Sequence, residues 1–302
     1  FVLVEFFKEI KWHYKLISSS TYPYPKKISE KLKYSSSLHI NDIKNLDQFY
    51  TIYLSKKIKK FLKENNEHEI DFVSSHGHTV LHKPSSGITY QIGNLPILAK
   101  LIDKKVICDF RSKDVKMGGE GAPLVPVGEL KLFYHLDTFI NLGGFANITL
   151  KNQKQIIAYD ICPANLILNL LANKINKSYD KDGELASKGK LIPELEKKLF
   201  DINFFKLKPP KSLGYEWVKE NILPIIETFE KHQTNDILHT YTIFISKQIA
   251  YALRGRKQVL ITGGGAFNSF LIQQIKNRTS CALCIPEERI INFKEAIIFA
   301  FL

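Results

Sequence analysis

The chain has 302 residues, 44% of them hydrophobic, and a formal net charge of +13. That length and apolar content suit one large domain or two smaller ones with a substantial core, and no run of about 18 apolar residues marks a membrane span. The charge is mostly lysine spread along amphipathic stretches such as 53–63 and 190–199, so solvated helix faces explain it and no nucleic-acid partner is expected.

In chain order, residues 1–17 alternate apolar and polar side chains around a charged turn, as an edge hairpin does. The apolar start Phe1–Phe7 lacks the cationic flank and cleavage site of a secretory leader. The single methionine is Met117, so the sequence is expected to begin inside a longer protein. Residues 41–66 read as a helix, with Leu46, Phe49, Tyr50, Ile52, Tyr53, Ile58 and Phe61 recurring at helical spacing. Residues 69–75 read as a strand that ends at His76-Gly77-His78-Thr79. A short buried strand, 106–110, delivers Asp109 and Arg111. The glycines and prolines of 112–126 indicate a shaped loop. A domain boundary is expected near 134–138.

The second half opens with TFINLGGFANITL (138–150), a strand, a Gly143-Gly144 turn and a second strand. IIAYDICPANLIL (156–168) reads as a strand ending at Asp160, then a helix from Asn165. Helices follow at about 165–175, 190–200 and 235–253, and 259–275 reads as strand, triple glycine, helix. Strand and helix alternation predicts an α/β fold.

The chemistry-bearing residues cluster at strand ends, where open α/β sheets bind ligands. Gly263-Gly264-Gly265 opens a helix carrying Asn268, and a helix N-terminus there favours phosphates. The same glycines also serve plain chain geometry. Neither a P-loop nor a dinucleotide-binding glycine motif is present. Asp160 is placed either to act as a general base or to cap the next helix. His76, Thr79, Asp109 and Arg111 are candidates for ligand contact or for bracing their loops, and an arginine can fork onto a carboxylate. Glu295 stands in the apolar run NFKEAIIFAFL, where a buried carboxylate is costly and either functional or paired, for example with Lys294. Of Cys108, Cys162, Cys281 and Cys284, the last two form a lone C-x-x-C without the second pair a zinc ribbon needs, so no metal ligands are expected. Sparse cysteines and no leader point to the cytoplasm.

The motifs SHGHT (75–79), CDFRSKDV (108–115), GGEGAPLVP (118–126), NLGGFANI (141–148), YDICPAN (159–165), PPKSLGYEW (209–217), ITGGGAFN (261–268) and FKEAIIFAFL (293–302) resemble the anhydro-N-acetylmuramic acid kinase family, in the form found in Bacteroidetes-type sequences. TYQIGN (89–94) and YDKDGELASKG (179–189) extend the resemblance over nearly the whole chain.

The resemblance implies the two-domain actin-like, sugar-kinase and heat-shock ATPase architecture, with a central cleft between domain I (1–136) and domain II (137–302). It implies that water opens the anhydro bridge at C1 of 1,6-anhydro-N-acetylmuramic acid. O6 then takes the γ-phosphoryl group of ATP with Mg2+, giving the 6-phosphate in cell-wall recycling and amino-sugar catabolism. Asp160 matches the catalytic aspartate and Glu295 an assisting glutamate. Asn141, Gly143 and Gly144 match one phosphate loop, and Gly263, Gly264, Gly265 and Asn268 the adenosine-side loop. His76, Thr79, Asp109 and Arg111 match the sugar-side loops. A sugar substrate, a homodimer and no membrane partner are the expected associations.

The family's opening Gly-Thr-Ser phosphate turn precedes Phe1, and family chains continue past Leu302. Glu120 replaces a usual Gln and Ala164 a frequent Gly. An inactive sugar- or nucleotide-binding module of the same superfamily is therefore the alternative to an active kinase.

Overall fold

The computed structural model describes residues 1–83, 86–152 and 155–302. The chain divides into two compact units, Phe1–Leu132 with Phe293–Leu302, and Phe133–Asn292.

In the first unit, strands β1 (Val2–Lys8) and β2 (Trp12–Ser19) form the antiparallel hairpin expected at the start. Strand β3 (Val73–Ser75) pairs in parallel with β6 (Val106–Cys108). Between them β4 (His78–Lys83) and β5 (Ile88–Ile92) make a second antiparallel pair, which the sequence pattern did not single out. Each pair forms its own two-stranded sheet.

The long helix Ile40–Glu64 supplies the packing. Its buried stripe is Ile43, Leu46, Tyr50, Ile58 and Phe61, at helical spacing. Phe49 and Ile52, expected in that stripe, are 42% and 46% exposed, because they fall on its flanks. Asp47 lies inside the stripe, and its carboxylate accepts from Gly93 N–H (2.7 Å), the Tyr90 hydroxyl (2.7 Å) and the Thr51 hydroxyl (3.2 Å). Burial of this anion is offset by three donors, which fix the end of β5 to the helix.

The second unit is built on one five-stranded sheet in the order β11-β10-β7-β8-β9. Its strands are β7 (Thr138–Leu142), β8 (Phe145–Lys151), β9 (Ile156–Pro163), β10 (Gln258–Thr262) and β11 (Ala282–Cys284). β7, β8 and β9 run antiparallel in series, while β10 and β11 lie parallel to β7. β7 and β10 are covered on both faces and read as nearly continuous apolar runs. The helix Thr234–Ala252 packs Leu238, Tyr241, Phe244, Ile245 and Ile249 into the same core as Ile140, Ile148 and Ile261.

The last helix, Glu288–Phe301, corrects the expected domain limits. Its residues from Phe293 onward belong with the first unit, not the second. Packing explains this. Lys294 pairs with Glu129 at 2.5 Å, each side chain only 4% exposed. Gly128 lies so close that a methyl group on it would sit 2.4 Å from Ile298 Cγ2. The Ser74 hydroxyl donates to the Phe299 carbonyl at 2.6 Å. No helix among the described residues is long and apolar enough to cross a membrane.

The Glu129–Lys294 pair carries a direct stability test. Glu129→Leu strands a buried ammonium and is expected to lower unfolding free energy by about 3–5 kcal/mol. Adding Lys294→Met removes the orphaned charge and recovers most of that loss. Urea unfolding of the single and double variants measures both.

Candidate active site

The parallel pairing of β7 and β10 brings the two glycine turns together. Thr262, the last residue of β10, is in register with Asn141 on β7, so both strands end side by side. Gly263 follows with φ +82°, and a methyl group on it would lie 2.5 Å from Asn141 Oδ1 and 2.9 Å from Leu142 N. Only glycine accepts both that backbone conformation and that contact. Gly265 is equally close, since its added methyl would meet Leu142 Cβ at 2.7 Å and Asn165 Oδ1 at 3.1 Å. Gly143 and Gly144 have no positive φ, so they offer space rather than unusual geometry. Their carbonyls are held by the start of the helix Asn165–Asn173, through Ala164 N–H (2.7 Å) and Asn165 N–H (3.2 Å). The Asn165 amide in turn donates to Leu142 O at 2.9 Å.

The triple glycine does not itself start an α-helix. Gly264–Phe267 is a short 3-10 turn, and the helix Ser269–Lys276 begins after Asn268. Asn268 is buried and caps that helix, its Oδ1 accepting from Leu271 N–H at 2.9 Å. Its oxygen is thus occupied in holding the turn.

Asp160 sits within β9, which runs on to Pro163, so it neither ends its strand nor caps a helix; Ala164 holds the capping position. A bulge at Ile161 interrupts the β8–β9 ladder, with Asn147 opposite Asp160 and Ala146 opposite Cys162. Such bulges re-aim side chains. β9 is an edge strand, and the loop through Lys211–Leu213 covers its free side at this residue. Asp160 N–H donates to Lys211 O at 2.9 Å, and Leu213 N–H donates to Asp160 Oδ2 at 2.8 Å. Burial pushes the Asp160 carboxyl above the usual carboxylate range, and the Leu213 N–H opposes this. Lys211 is anchored through Nζ to Phe204 O (3.0 Å) over the Phe204 ring, and burial lowers its pKa. The motif PPKSLGYEW was the signal for this loop, but its partner is far away in sequence.

The first unit gathers His76, Arg111 and Glu295. Arg111 Nε donates to His76 Nε2 at 2.9 Å, and Arg111 Nη1 to Gly121 O at 2.7 Å. The His76 ring therefore carries its proton on Nδ1, facing Gly77 O at 3.0 Å. Phe299 backs both side chains, 4.6 Å from the His76 ring and 5.9 Å from the guanidinium. Burial and the neighbouring Arg111 hold His76 below its ordinary pKa, while Glu295 acts to raise it. Glu295 is exposed, contrary to the buried carboxylate expected from its apolar surroundings; the buried charge there is Lys294, whose partner is Glu129. One residue's rotation along the helix separates the two environments. Thr79 lies exposed on β4 opposite Gln91. Asp109 is exposed with φ +61°, just before the helix Phe110–Lys116. Asp114, not singled out beforehand, closes the glycine-rich loop by accepting from Gly121 N–H at 2.7 Å.

Two close-packed glycine turns at parallel strand ends, with a half-buried carboxylate in the same sheet, form a site where a ligand could approach backbone beside an acid–base group. Comparison with known proteins specifies the kind. The family model for anhydro-N-acetylmuramic acid kinase matches residues 2–302, and the chain belongs to that family. It is similar to the anhydro-N-acetylmuramic acid kinase of Francisella tularensis subsp. novicida, 33% identical over 95% of this chain and 83% of that one. It is also similar to that of Bacillus cereus, 30% identical over the same shares. Among solved structures, the activator of the 2-hydroxyisocaproyl-CoA dehydratase from Clostridium difficile with bound ADPNP is similar at 15% identity and a TM-score of 0.37, covering 65% of this chain and 67% of that one.

Two outcomes follow from this geometry. Gly263→Ala is expected to weaken ATP binding at least about tenfold and to destabilise the fold by about 1–3 kcal/mol, since it strains φ and strikes backbone; ATP titration and thermal melting check this. For Asp160 the folded pKa is raised. Its contribution to stability is therefore present below the unfolded pKa and lost as pH rises through the folded value. At neutral pH Asp160→Asn should raise Tm, with the difference shrinking toward acid pH, as a melting series against pH would show.

Proposed function

We propose that the protein is an ATP-dependent kinase that opens 1,6-anhydro-N-acetylmuramic acid with water and phosphorylates O6, giving N-acetylmuramic acid 6-phosphate and ADP. The observation that carries this reading is the family match over residues 2–302. The arrangement around Asp160 supplies a mechanism. Its raised pKa and half-buried carboxylate suit a base that accepts a proton from water as the water oxygen bonds to C1. The C1–O6 bond breaks, and O6 bonds to the γ-phosphorus as the bond to the β–γ bridging oxygen breaks. The turns Gly143-Gly144 and Gly263–Gly265 let backbone approach the phosphates closely, with Asn141 beside them. Asn268 serves this site by capping the helix that follows the turn.

His76, Arg111, Thr79, Asp109 and Glu295 are assigned to the sugar. Arg111, with Nε and Nη1 engaged, has Nη2 left to donate to the lactyl carboxylate, and Glu295 assists from its exposed position. Among the described residues no group of three or more His, Cys, Asp or Glu is placed to hold a metal. Magnesium would be carried on the ATP phosphates and water, where it would neutralise phosphate charge. We place the activity in the cytoplasm, in cell-wall recycling, and the protein in a homodimer.

Phosphorus NMR on the anhydro sugar with ATP tests the reading. One new phosphomonoester per ADP is expected, falling about 100- to 10,000-fold in Asp160→Asn. ADP released without sugar phosphate would overturn it.

A further inference from the structure

The strand registers place four polar residues in one row across the second unit's sheet. Thr262 on β10 lies opposite Asn141 on β7, Asn141 opposite Asn147 on β8, and Asn147 opposite Asp160 on β9. Directly opposed residues point to the same face, with Cβ atoms about 5 Å apart. Asn147 therefore stands between Asn141, at the glycine turns, and Asp160. It is half-buried, and among the described residues its amide has no hydrogen-bond partner. Of the other asparagines around the turns, Asn165 donates to Leu142 O and Asn268 accepts from Leu271 N–H. Asn147 is only part-buried, so its amide is open to solvent and free to hold a water.

We infer that Asn147 is a catalytic residue that holds the attacking water, its Oδ1 accepting one proton of the water while Asp160 accepts the other. The inference rests on the assignment of Asp160 as general base. A gap of about 5 Å between the Cβ atoms leaves room for one water bridging the two side chains, each at hydrogen-bond distance. With both protons engaged, a lone pair of the water is directed away from the sheet, toward a sugar carbon above it. The water oxygen then bonds to C1, and its transferred proton resides on Asp160. The bulge at Ile161 and the Leu213 N–H fix the carboxylate side of this pair. Other titratable groups near Asp160 are Lys211 and Cys162, both acting on the same patch below the bulge.

The test uses the full chain with Asn147→Ala and Asn147→Asp. Asn147→Ala is expected to lower kcat about 10- to 100-fold while KM for ATP changes less than about twofold, the pattern of lost positioning. In an Asp160→Asn background it should cost nothing further, since the two act as a unit. Asn147→Asp puts a like charge opposite Asp160 and should move the acid limb of kcat upward in pH. Carbon NMR titration of the Asp160 carboxyl should show the same upward move without any substrate. Wild-type kcat in Asn147→Ala, or an unmoved Asp160 titration in Asn147→Asp, overturns the inference. If wild type fails to phosphorylate the anhydro sugar while the Asp160 titration moves as expected, the fault lies with the assigned reaction and not with the pairing.

Discussion

The register between β7 and β10 is the constraint on which the second unit's chemistry depends. Pairing Thr262 with Asn141 makes two strands from distant parts of the chain end at the same height. The turns that follow must then share one small volume, and only glycine fits where Gly263 and Gly265 meet Leu142. A slip of one residue would turn Asn141 to the opposite face and drive Leu142 toward the turn. The buried faces of both strands forbid this. Hydrophobic packing thus sets a polar geometry to which it contributes no polar atom.

The other end of the same row obeys a different rule. β9 is an edge strand, and its outward backbone groups need partners. The loop through Lys211 and Leu213 supplies them at Asp160, and the same contact fixes the carboxylate. Lys211 holds that loop on Phe204, itself packed on Phe205 and Trp217. Covering a strand edge and fixing the Asp160 carboxylate are therefore one structural act. The desolvation that raises the Asp160 pKa is the cost of that arrangement to stability, and the bulge at Ile161 marks where the regular ladder yields to it.

Much of this was legible from local sequence. The hairpin 1–17, the long helix after 41, the turn in NLGGFANI and the strand and glycine turn of ITGGGAFN all announce themselves through periodicity and glycine. What stayed hidden depends on partners far along the chain. Nothing near Asp160 predicts the loop at 211–213, and nothing near Lys294 names Glu129. The same blindness made Glu295 look buried when its neighbour was the buried charge. Nothing near Asp47 names Gly93 and Tyr90 as the donors to its carboxylate. Asn147 lies inside the NLGGFANI motif, but its significance lies in strand register, which a linear pattern does not display.

In the proposed reaction, water activated at Asp160 opens the sugar while O6, not water, receives the phosphoryl group. Running the reaction in oxygen-18 water and locking the product by rapid borohydride reduction tests it most directly. One oxygen-18 at C1 of the reduced sugar phosphate and none in its phosphate is the expected result. Label in the phosphate, or an unlabelled C1, would contradict it.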